Sequence, residues 1–262
     1  MQSKYYIPII GEISSGKSTF LNSFLGINFL ETGVTTTTKF ICLIKNSNKS
    51  CFYHVIPKTQ NGLTFVKEGE EIRDEQKIKK KIEDINETLF KTKGTKNELF
   101  YMLETPIKNI NNQTLLDKCY FMDIPGLNAC GEDYIEDIFS FININDILFE
   151  IMIIDTTSIG SEAILRIFKK INDKNYLKKE KNLYILNKID RCSLEGENEI
   201  IDIFKKYIYD NFENEKEIDK DAKVIININR NYLISLNSLL YQAESNFGKD
   251  FYSLLLIELF SL

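Results

Sequence analysis

The residues with the clearest chemical signature are GEISSGKS, Gly11 to Ser18, a match to G-x-x-x-x-G-K-[ST] that directly follows the apolar stretch Tyr5 to Ile10. Gly11 and Gly16 let a backbone wrap closely around phosphate oxygens. The N–H groups of such a loop, that of Ser15 among them, and the helix start near Lys17 add positive potential. In that chemistry Lys17 reaches the β and γ phosphates and Ser18 ligates Mg2+.

Three further motifs follow in order, each at the end of an apolar run. DIPG, Asp123 to Gly126, places a carboxylate where it can hold Mg2+ through water and the Gly126 N–H where it can sense a γ phosphate. Alone it is an ordinary turn; its place after the phosphate loop gives it meaning. NKID, Asn187 to Asp190, supplies an Asp able to accept from both N1–H and N2–H2 of guanine, which adenine cannot offer. YLISLN, Tyr232 to Asn237, puts Ser235 after a strand, with the Leu236 N–H available to guanine O6.

Between the first two motifs lies GVTTTTK, Gly33 to Lys39, where a threonine hydroxyl could swing onto Mg2+ and its N–H onto the γ phosphate. Four consecutive threonines are also a plausible start to a β-branched strand. His54, the one histidine, falls in a strand-like run with no partner pattern for base catalysis and reads as structural.

The elements that must hold these motifs are legible as punctuated apolar runs. Strands are expected at Tyr5 to Ile10, Phe40 to Lys45, Cys51 to Ile56, Leu99 to Leu103, Cys119 to Asp123, Ile147 to Asp155, Leu183 to Asn187 and Tyr232 to Ser235. Helical spacing appears in Phe20, Leu21, Phe24, Leu25 and again in Ile164, Leu165, Ile167, Phe168, Ile171. Lys67 to Lys93, with Ile72, Ile78, Ile82, Ile85 and Leu89, reads as one exposed amphipathic helix. Alternating strands and helices predict an α/β fold with a doubly wound, mostly parallel sheet and helices on both faces. Pro8 is an awkward residue for a central strand, because it lacks a ladder donor.

Composition narrows the class. At 262 residues, with 43% hydrophobic and 27% charged residues, the chain can bury a full core and is neither disordered nor fibrous. A net charge of −5 gives no electrostatic reason for binding duplex nucleic acid, so no nucleic-acid partner is expected. Five scattered cysteines without a CxxC pair suggest neither a disulfide framework nor a zinc site, and favour a reducing, cytoplasmic setting. No apolar run approaches the ~18 residues of a membrane span, and the N-terminus has no cleavage pattern. The apolar, uncapped finish over residues 251–262 suggests a truncation from something longer.

Taken in order, these motifs resemble those of GTPases, and residues 9–40 resemble the dynamin family, particularly its bacterial-type members. The 88 positions between Thr35 and Asp123 agree, since dynamin-like G domains carry extra elements there. The resemblance implies a P-loop GTPase fold, one G domain over residues 1–262 with an insertion at 45–115 after switch I, and a cut before its helical bundle and stalk. It also implies GTP or GDP as ligand, Mg2+, and hydrolysis promoted by a G-domain homodimer across the nucleotide. Membrane contact, peripheral, would come through the missing stalk. Residue by residue it implies Lys17, Ser18 and Thr19 on phosphate and Mg2+, Thr35 on Mg2+ and the attacking water with Thr36 as second choice, and Asn187, Lys188 and Asp190 on the base.

Ser14 falls where dynamins help to hold a monovalent cation, K+ or Na+, but Ile13 replaces the polar residue found before it in eukaryotic members. Leu127 stands where small GTPases keep a water-orienting glutamine, so hydrolysis must rely on Thr35, an ion or a second subunit. Two rival readings are a switch GTPase of ribosome assembly or signalling, and a scaffold that holds GTP without turnover.

Overall fold

The computed structural model describes residues 5–32, 38–58, 64–92, 99–108, 113–126, 147, 150–162, 182–188, 202–204, 206 and 223–226. Its elements in chain order are β1 (Tyr5–Gly11), α1 (Lys17–Leu25), β2 (Ile41–Asn46), β3 (Cys51–Lys58), β4 (Thr64–Ile72), α2 (Glu75–Thr92), β5 (Phe100–Thr105), α3 (Gln113–Lys118), β6 (Cys119–Asp123), β7 (Glu150–Asp155), β8 (Asn182–Asn187) and β9 (Lys223–Ile226). They form one nine-stranded sheet in the order β4-β3-β5-β2-β6-β1-β7-β8-β9.

From β6 through β9 every neighbouring pair is parallel. Such strands are buried on both sides and need continuous apolar runs, which YYIPIIG, CYFMD and EIMIID supply. Because they run the same way, their C-terminal ends share one edge, where ligands bind in open α/β sheets. The register fixes that edge: Ile9 pairs with Asp123, Gly11 with Ile153 and Asp155 with Asn187.

β2 runs antiparallel to β6, with Cys42 opposite Asp123. The start of β2, and with it the chain just before Ile41, therefore lies at the same edge as the end of β6.

Helices cover both faces. Phe24 of α1 meets Phe121 edge-on at 5.7 Å, which puts α1 on the Phe121 face. On the other face, Tyr184, in register with Met152 and Ile10, packs on Phe204 of the helical residues 202–204 at 5.5 Å. The core joins Ile7, Ile9, Leu21, Leu25, Leu43, Leu103, Phe121, Ile151 and Leu186, all fully buried. At about 25 cal/mol per Å2, such burial is the main stabilising contribution. No helix among the described residues is long and apolar enough to cross a membrane.

Seven of the expected strands are present to within a few residues; the eighth, at Tyr232, lies outside the described residues, as does the helical pattern at Ile164. The ladder of β7 starts at Glu150, with Ile147 making a single bridge to Tyr6. Pro8 stands in register with Met122 of β6, and the pairing with β7 runs from Ile9. β9 was not among the expected strands.

One expectation is corrected: Lys67 to Lys93 is not one helix. Residues 64–72 are strand β4, and the helix begins at Glu75. Among the described residues β4 is an edge strand beside β3, and it carries Lys67, Glu68 and Glu70 into solvent, a common guard against edge pairing. Ile72, which fits the helical spacing, instead pairs with Phe52 of β3. Asp74 then caps α2, its carboxylate accepting from the Lys77 N–H at 2.9 Å. His54 pairs across these strands with Glu68 at 2.9 Å, in keeping with a structural role.

Candidate functional site

The loop between β1 and α1 is curled by two residues in left-handed backbone, Ser14 at φ 59° and Gly16 at φ 103°. Left-handed turns of this kind gather successive N–H groups into an anion-binding concavity. Gly16 is required for a second reason: a Cβ there would collide with Nδ2 of Asn187. That amide donates to the Ser15 carbonyl at 2.8 Å, tying the end of β8 onto the loop.

Lys17 opens α1 and is almost wholly buried. Its ammonium donates to the carbonyls of Gly11 at 3.1 Å and Glu12 at 2.7 Å, which folds it back over the loop. Burial lowers its pKa to about 8, against the opposing pull of Asp123 and Glu12. The ammonium is therefore poorly solvated and poised for an anion.

Across from it, Ser18 donates to Oδ2 of Asp123 at 3.0 Å. Thr38 reaches the same oxygen at 3.4 Å and lies 3.2 Å from the Ser18 hydroxyl. Burial pushes the Asp123 carboxyl up to about 6, opposed by Lys17, Ser18 and Thr38. Among the described residues, two buried oxygens here have no hydrogen-bond partner, Oδ1 of Asp123 and Oγ of Ser15. Unpaired buried polar atoms are costly, and a ligand that uses them offsets that cost. A carboxylate and two hydroxyls are hard oxygen donors of the type Mg2+ takes, so these residues fit that ion.

Gly126 packs directly on the loop, for a Cβ there would stand 2.7 Å from the Ile13 nitrogen. At the end of β7, Asp155 receives the Lys188 ammonium at 2.6 Å and the Thr157 N–H at 3.0 Å. Burial tends to raise its pKa, but these bonds outweigh it and hold the carboxyl below its usual value. Ser158 bridges this corner to the loop by donating to Glu12 at 2.6 Å, and Thr156 donates to the Asn187 carbonyl at 2.9 Å. A small cleft between α1 and the ends of β7 and β8 is lined by Gly16, Thr19, Phe20, Ile153, Ile185 and Asn187.

The structure thus brings together Gly11, Ser14, Ser15, Gly16, Lys17, Ser18, Thr19, Asp123, Gly126, Asn187 and Lys188. Thr35, Thr36, Leu127, Asp190, Ser235 and Leu236 lie outside the described residues. The threonine found against Ser18 and Asp123 is Thr38, the last of the run, because antiparallel β2 starts three residues later. Glu12, Asp155 and Ser158 were also missed, although the polar cluster DTTS after an apolar run is a turn signal.

A buried cation on a glycine loop, a carboxylate with two hydroxyls, and a strand-terminal Asn-Lys pair on one edge of a parallel sheet define a P-loop protein. The model of the Dynamin family matches residues 7–189. The chain belongs to the dynamin family of large GTPases and has the P-loop GTPase fold. No curated protein matches it. Among the solved structures that resemble it are two of an oligomerised bacterial dynamin pair that provides a mechanism for long-range sensing and tethering of membranes. Each is 18% identical, with TM-scores of 0.53 and 0.51, over 97% of this chain but only 35% of the larger one.

Proposed function

We propose that the chain binds GTP with Mg2+ and hydrolyses it to GDP and phosphate, as the motor G domain of a dynamin-like membrane-remodelling protein. The observation that carries this is the buried Lys17 ammonium beside the Ser18, Asp123 and Thr38 oxygens. Loop N–H groups from Gly11 to Ser18, with Thr19, would hold the phosphates. Ser18, Asp123 and a threonine of the 35–38 run would hold Mg2+, which when bound neutralises charge on the β and γ phosphates. Thr38 is the favoured threonine from its position, with Thr35 and Thr36 as alternatives. Gly126 would report the γ phosphate, and Ser14 would help to hold a monovalent cation.

Asn187 would brace the loop from the base side, Lys188 would lie along the base, and Asp190 would read guanine, with Ser235 and Leu236 at its O6. Asp190→Asn is expected to shift preference from guanine to xanthine nucleotides by roughly 100-fold, the scale of losing a hydrogen bond to a charged group. Competition between GDP and XDP for a fluorescent nucleotide checks this; an unchanged preference would remove Asp190 from the site.

Paired heads across the nucleotide and a cytoplasmic, membrane-peripheral location belong to the same proposal. They draw support from family membership and from the likeness to an oligomerised bacterial dynamin pair, of which the chain spans 35%. The test is GTP hydrolysis against protein concentration, with Mg2+ and with K+ set against an inert cation. Specific activity should rise with concentration and with K+. Constant, slow turnover would instead favour a switch GTPase, and none a nucleotide-holding scaffold.

A further inference from the structure

We infer that Asn86, on α2, is a positioning residue for the cation end of the site, acting through Thr38; the inference rests on the Mg2+-nucleotide proposal above. Asn86 is only 6% exposed, on a helix whose other buried residues are Ile78, Ile82, Ile85 and Leu89. An apolar side chain would suit that setting, and a buried amide is costly unless both of its ends are bonded.

Both ends are bonded, and both to the chain flanking the threonine run. Oδ1 accepts from the Lys39 N–H at 3.0 Å, and Nδ2 donates to Oε2 of Glu31 at 2.9 Å. The Lys39 N–H belongs to the peptide that joins Thr38 to Lys39. Asn86 therefore holds the peptide plane next to the hydroxyl that faces Ser18 and Asp123. One turn further along the helix, the ring of Phe90 lies 5.2 Å beneath the Lys39 ammonium, a second hold on the same residue. Phe90 is otherwise 73% exposed. A shift of α2 along its axis would break these contacts together, so the position of this helix is transmitted to Thr38.

The test measures the Mg2+ dependence of GTPγS binding by the whole chain, with GDP affinity as the control for an intact fold. In Asn86→Ala the apparent Mg2+ affinity of the GTPγS complex is expected to fall about tenfold, the scale of one lost buried hydrogen bond. GDP affinity should stay unchanged. The double substitution Glu31→Gln with Asn86→Asp keeps an acceptor for the Lys39 N–H and reverses the second bond, the amide now donating from position 31. It should return Mg2+ affinity to near the wild-type value. An unchanged Mg2+ dependence in Asn86→Ala would overturn the inference, as would a parallel loss of GDP affinity that the double substitution does not rescue. Failure of the parent proposal has a different signature: no guanine nucleotide binds to the wild-type chain or to any variant.

Discussion

Lys17→Ala is expected to lose both GDP and GTP, with affinity falling by roughly 100-fold or more, from about 3 kcal/mol for removing one member of a desolvated charge pair. The size follows from where the ammonium sits. It is held by the Gly11 and Glu12 carbonyls, nearly out of water, with its pKa lowered to about 8 by that burial. The protein has already borne the cost of stripping water from this cation, so a phosphate gains most of the interaction. Both nucleotides should suffer, because the β phosphate is common to them. Calorimetric titration checks this, and retention of wild-type GDP affinity would place the nucleotide elsewhere.

Thr38→Ala is expected to spare GDP binding but slow hydrolysis by about 100-fold, the loss typical of one transition-state oxygen ligand or donor. Its hydroxyl lies within 3.4 Å of both Ser18 Oγ and Asp123 Oδ2, the oxygens proposed to hold Mg2+. A group that acts only in the triphosphate state lowers turnover without changing product affinity. Single-turnover hydrolysis of Thr35→Ala, Thr36→Ala and Thr38→Ala side by side assigns the role. A defect confined to Thr35 or Thr36 would move the role to that residue.

The phosphate loop was legible because its chemistry is local: Gly11, Gly16, Lys17 and Ser18 act within eight residues, and their spacing is the signal. The parallel strands β1, β6, β7 and β8 were legible for a related reason, since burial on both faces demands unbroken apolar runs. Strand β4 was not. An edge strand with most of its residues exposed can be as polar as a helix surface, and Ile72 happens to continue the spacing of Ile78, Ile82 and Ile85. Gly69, in left-handed backbone in the middle of β4, and the capping Asp74 were the available clues.

The placement of Thr38 beside Asp123 was illegible for a topological reason. Only the antiparallel pairing of Cys42 with Asp123 brings the chain before β2 to the end of β6, and pairing direction leaves no mark on a run of identical residues. Asn86 was hidden in the same way, since its partners Glu31 and Lys39 are 55 and 47 positions distant. The corner formed by Asp155, Lys188, Ser158 and Glu12 likewise joins three chain segments that no single motif spans.

The central claim is that guanine nucleotide binds over Lys17 at the edge shared by β1, β6, β7 and β8. Its most direct test is calorimetric titration of the whole chain with GDP and with ADP in the presence of Mg2+. The account predicts a single GDP site and ADP binding too weak to measure under the same conditions. Equal binding of the two nucleotides, or no GDP binding at all, would contradict it.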